Sequence, residues 1–165
     1  MGSAAFDEES YNQQIARDYR WNFAVSVLDS TFFWFGMSFV TGTTIIPVYA
    51  ARLTSSPLLI GLITAISSSG WFLPQLLTAN LVERLPRRKP LVVTVGLLGE
   101  RLPFLLLAIS TFLFAARHRV LALVLLFVFY TWQCLGSGFL ATAWQDMIAK
   151  IIPAARRGRF SGIAN

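Results

Sequence analysis

Uncharged, strongly apolar runs of bilayer length alternate along this chain with short turns that hold nearly all of its charge. Twenty-two uncharged residues separate Asp29 from Arg52, and no residue between Leu53 and Val82 carries a formal charge. A spanning helix needs about 20 mainly apolar residues to cross a ~30 Å hydrocarbon core. The pattern predicts a tail over 1–23 and four helices at about 24–50, 57–80, 91–115 and 120–144. A fifth helix is expected to start near residue 160, at Phe160-Ser161-Gly162. The fold class is therefore an all-α polytopic membrane protein.

Composition agrees. The 165 residues are 55% hydrophobic and 13% charged, with mean hydropathy +0.60, a balance that soluble domains do not reach. The net charge of +6 would suit nucleic acid on a soluble fold. Here the Lys and Arg residues sit in short loops, where they set topology and meet lipid headgroups. Nucleic acid is thus not expected as a partner, and the lipid bilayer is. The single cysteine, Cys134, supports neither a disulfide nor a cysteine metal site. Neither a metal nor a cofactor is expected. An enzyme is not expected either, because no nucleophile–base set or phosphate-binding glycine loop is present. The acidic Asp7-Glu8-Glu9 start lacks the apolar core of a signal peptide.

Orientation follows from the basic residues. Ten of them fall in the tail, the second-to-third helix loop and the segment after the fourth helix. Only Arg52, Arg117 and Arg119 fall on the other side. The N-terminus is expected in the cytoplasm, in a bacterial-type plasma membrane.

Within the spans, Gly61, Ala65 and Ser69 recur at i, i+4, i+8, as do Cys134, Gly138 and Thr142. Both stripes are expected to let helix backbones approach closely. Pro47, Pro74 and Pro103 are expected kinks. Thr41, Thr43 and Thr44 are expected to bond their own backbone. Glu100-Arg101 falls near the middle of the third helix. A charge there costs on the order of 2.5–3.5 kcal/mol on insertion scales, so both groups should face protein or a wet cavity. Trp132 and Gln133 reach about the same depth on the fourth helix. These four residues form either a substrate-contacting set or a buried structural network. The structural network, stapling the third helix to its neighbours, is favoured.

The densest charge cluster is Glu83-Arg84-Leu85-Pro86-Arg87-Arg88-Lys89-Pro90, between the second and third helices. With Ala79 to Val82 before it, this segment resembles the cytoplasmic loop signature of the major facilitator superfamily. That signature reads Gly, three residues, Asp-Arg, any residue, Gly-Arg, then Arg or Lys. Glu83 stands for the acid, Arg84 for the first arginine, and Arg87-Arg88 for the basic end; Ala79 and Pro86 replace the two glycines. Pro153 to Arg159 is similar to the family's Pro…Arg-Gly loop after helix 4. Gly136-Ser137-Gly138 stands where many members carry Arg…Gly-x-Gly, with Trp132 at the arginine position.

The resemblance implies part of the N-terminal half of a twelve-helix transporter that moves a small-molecule substrate by alternating access. It implies that the Glu83–Pro90 loop latches one state, and Asp146 is the expected local partner of Arg84 or Arg88. A chain of helices 1–4 and the start of the fifth is expected to need the C-terminal helices of the same transporter and to be inactive alone. The alternative is a self-contained four-helix protein, either a small oligomeric exporter or a non-transporting scaffold.

Overall fold

The computed structural model describes residues 8–83 and 89–164, and the elements among them are all helical. They are α1 (Glu8–Ser38), α2 (Ile45–Leu53), α3 (Pro57–Glu83), α4 (Lys89–Val95), a π-helical turn (Gly96–Arg101), α5 (Leu102–Phe114), α6 (Arg119–Ile151) and α7 (Ala154–Ala164). Three stretches are long and apolar enough to cross a membrane: Pro57–Thr78, Lys89–Phe114 and Arg119–Ile151. The chain forms two compact units, one of residues 1–38 with 146–165, the other of residues 39–145.

The first expected helix, 24–50, differs from expectation at both ends and in its middle. Helix begins at Glu8, inside the expected tail, and it is interrupted over residues 39–44. The interruption has a local cause. Gly42 costs the most backbone entropy of any residue to hold in a helix, and Pro47 brings no N–H for the turn before it. The backbone of Thr44 leaves the helical region, at φ −131° and ψ −70°. Of the three threonines expected to bond backbone, Thr41 does so where the helix restarts, and its hydroxyl also meets that of Thr44. Thr41 Oγ1 accepts from the Ile45 amide at 3.3 Å, and the Thr41 carbonyl accepts from Ile46 at 3.1 Å.

In the second unit, the core joins Ile46 and Ala50 of α2 to Ile63 of α3, Leu107 of α5, and Leu126, Tyr130 and Cys134 of α6. Outward positions such as Leu58, Leu76, Leu77, Phe112 and Val120 are exposed. That is the pattern of helices whose outer faces meet lipid rather than water, since apolar surface outside costs nothing there.

Helix packing rests on glycine. A Cβ on Gly138 would fall 2.7 Å from the Trp71 carbonyl oxygen and closer still to that of Gly70. A Cβ on Gly136 would run into the Gly99 carbonyl. Both contacts share a sequence cause. Gly70 and Gly99 each precede a proline by four residues, Pro74 and Pro103. A proline withholds the N–H that the preceding turn's carbonyl would accept. Each freed backbone edge lies against a glycine of Gly136-Ser137-Gly138, where only hydrogens intervene. Weak Cα–H···O contacts of this kind contribute perhaps 0.5–1 kcal/mol each.

The α6 stripe of Cys134, Gly138 and Thr142 packs as expected: Cys134 meets Gly70, and the Thr142 and Thr78 hydroxyls lie 3.3 Å apart. The α3 stripe does not. Gly61, Ala65 and Ser69 are exposed, and nothing lies within 4 Å of a Cβ at Gly61. The packing positions of α3 are Gly70, Pro74 and Thr78, also spaced by four but about 100° around the helix. Proline disguised that stripe, because its value lies in the missing amide rather than in small size.

Candidate functional site

Polar side chains inside the second unit gather at three places. The first is the π-helical turn of the third span. A π turn adds one residue to a helix and commonly marks a functional or strained position. Its wide pitch is seen in the Leu102 amide bonding back to Leu97, five residues away. Glu100 points inward, with 8% of its side chain exposed, whereas Arg101 is about half exposed. The Arg101 guanidinium folds back to donate to the Gly96 carbonyl at 3.1 Å and stands 3.9 Å from the Glu100 carboxylate. Gly96 permits this, since a Cβ there would crowd Arg101 Nη1 at 3.0 Å. Both groups were expected to face protein or a wet cavity; Glu100 does, whereas Arg101 is half exposed, and the two still meet.

The second place is α6. Gln133 is 2% exposed and donates to Ser137 Oγ at 2.7 Å, while Cys134 Sγ lies 3.5 Å from Gln133 Oε1. Buried amides need such partners, and here the next helical turn supplies one. Trp132, one residue away, points elsewhere. It lines an open groove of about 650 Å³ with Thr131, Gly136 and Phe139 of α6 and Leu98 and Gly99 of the third span. Glu100, Arg101 and Gln133 do not line that groove. The four mid-span residues thus divide into an ion pair in the π turn, an amide bonded within α6, and a groove-lining indole.

The third place was not foreseen. The Tyr130 hydroxyl and Ser67 Oγ both press on Gly42, in the interruption of the first helix. Thr64 Oγ1 donates to the Gly42 carbonyl at 3.4 Å. Counted along their helices, Ser67 lies ten residues into α3 and Tyr130 eleven into α6, about 15 Å from either start at ~1.5 Å per residue. The interruption therefore meets hydroxyls well inside two other helices. A Gly between polar β-branched residues, with Pro47 five positions on, was the available signal.

Of the expected latch, Arg84, Arg87 and Arg88 lie outside the described residues, and Glu83 closes α3. Asp146 is in the first unit, where its carboxylate takes Lys150 at 3.2 Å, one helical turn on. In that unit Phe23 of α1 meets Phe160 of α7 edge-on, with ring centroids 5.9 Å apart. Arg156 stacks 5.4 Å over the Tyr19 ring. Arg157 donates to the carbonyls of Ile152, at 3.1 Å, and Ala149, and so caps the end of α6. Among the described residues no group of three His, Cys, Asp or Glu side chains is placed to hold a metal ion.

Comparison with known proteins adds one finding. The family model of the Major Facilitator Superfamily matches residues 12–165. Neither the curated proteins nor the solved structures give a match.

Proposed function

The chain belongs to the Major Facilitator Superfamily, whose members are membrane transporters, and we propose that it moves a small solute by alternating access. The observation that carries this is the family match over nearly the whole chain, together with three spans of bilayer length. It sets aside the reading as a four-helix scaffold. The N-terminus lies in the cytoplasm in this reading, which rests on the excess of basic residues in the turns of that side.

The Glu83–Pro90 turn acts as the conformational latch. Glu83 ends α3, and it and Arg84, Arg87 and Arg88 bridge to neighbouring helix ends, the acid to an N-terminus and the arginines to C-termini, by charge-assisted hydrogen bonds. Asp146 belongs to the same ionic set and exchanges Lys150 for an arginine of the turn when the latch closes. Glu100 and Arg101 staple the third span, and the solute does not touch them. The C-terminal helices of a complete transporter are the proposed counterpart of the latch.

Cys134, the one cysteine of these 165 residues and a buried one, provides the test. In membrane vesicles carrying the complete transporter with any cysteine outside these residues replaced by serine, Arg84→Gln with Arg88→Gln should raise the alkylation rate of Cys134 by a membrane-permeant maleimide severalfold. An unchanged rate in a folded variant would reduce those arginines to topology signals.

A further inference from the structure

We propose that the arginine cluster where α1 meets α7 binds the phosphate of an anionic phospholipid. The cluster is built by packing. Tyr19 and Phe23 of α1 face Arg156 and Phe160 of α7, and on each helix the two positions are four residues apart. That register brings Arg20, which follows Tyr19, beside Arg159, which precedes Phe160. The Arg156 guanidinium lies 5.4 Å over the Tyr19 ring, and a guanidinium held there keeps in-plane N–H groups of the kind that take a phosphate in two parallel hydrogen bonds. Arg20, Arg156 and Arg159 are all exposed.

The local balance of charge points the same way. Asp18 is 3.2 Å from Arg17, and Asp146 is held by Lys150. These are the acids among described residues 13–28 and 146–164, against six basic residues there. The chain leads the same way: α7 starts at Ala154, three residues after Ile151 ends the Arg119–Ile151 span, so the cluster follows directly on a membrane crossing, where the headgroup layer begins. Trp21, 73% exposed, follows Arg20 directly and is the residue type that settles in that layer. An anionic lipid supplies both what the arginines need and what the indole contacts.

The chain in phosphatidylcholine nanodiscs, doped with brominated phosphatidylglycerol or with brominated phosphatidylcholine, tests this. The signal is the part of tryptophan quenching that Trp21→Phe removes. Phosphatidylglycerol should quench at a severalfold lower mole fraction than phosphatidylcholine. Arg20→Gln and Arg159→Gln, at positions outside the α1–α7 ring packing, should each raise that fraction roughly fivefold, with helicity checked by circular dichroism. Should either variant misfold, the comparison of the two lipids on the unaltered chain decides alone. Equal quenching by both lipids overturns the proposal. So does displacement by inorganic phosphate, which would make this a free-anion site, or by polyglutamate, which would make it a protein-docking site.

Discussion

At single positions, glycines that look alike in the sequence differ by what a methyl group would strike. Gly136 and Gly138 abut carbonyl oxygens of neighbouring helices, and backbone cannot step aside as a side chain can. Gly136→Ala and Gly138→Ala should each destabilise by about 1–3 kcal/mol, the usual range for overpacking. Gly61→Ala meets open space and should be neutral or gain up to about 1 kcal/mol from helix propensity. Reversible unfolding in mixed micelles ranks the three, and equal losses would contradict the packing described. Gly42 is a middle case, because its obstacles are side-chain tips, the Tyr130 hydroxyl and Ser67 Oγ. Gly42→Ala should be destabilising, and Tyr130→Phe, which deletes the nearer oxygen, should recover part of the loss. A double-mutant cycle with no coupling would rule that contact out.

At the level of helices, the pattern of apolar runs placed α3 and α6 and the Lys89–Phe114 span within a few residues of where they begin. Bilayer thickness dictates length, and the turns carry the charge. The breaks were not legible in the same way. Pro74 sits in an unbroken helix, Pro103 follows a π turn, and Pro47 follows a full interruption. A proline announces a missing hydrogen bond, but neighbouring helices decide how the freed carbonyl is used. The π turn at Gly96–Arg101 was not legible, because no residue type in the run marks the extra one.

The Glu100-Arg101 pair carries its own expectation. Arg101→Met leaves the buried Glu100 carboxylate without its nearest cation. It should cost more than Glu100→Gln, which leaves Arg101 bonded to Gly96. The double variant should recover part of the difference, with a coupling of about 1 kcal/mol, kept small because half of Arg101 is exposed. Additive losses would argue against a staple.

For the whole molecule, orientation is the open expectation with the simplest measurement. A fluorescent-protein fusion at Met1 should be bright and an alkaline phosphatase fusion after Arg117 active; the reverse pair would invert the topology and move the Glu83–Pro90 turn outside. The family itself was legible in two partial loop motifs, Glu83–Pro90 and Pro153–Arg159, because each is a short pattern of charge and proline within one turn of the chain. The solute was not legible, since it is recognised by shape and hydrogen bonding inside the bundle rather than by any run of residues.

The backing of α6 by bare backbone on two sides has a mechanical consequence. Interlocked side chains must change rotamer whenever one helix turns against another, and each change adds a barrier. Where Gly136 and Gly138 meet the carbonyls of Gly99 and Gly70, no rotamer exists to be reset. At these two crossings α6 should therefore turn against its neighbours over a lower barrier than at the side-chain contacts of its core. Methyl relaxation dispersion on Leu140, which flanks Gly96, should therefore report slower exchange in Gly136→Ala than in the unaltered chain.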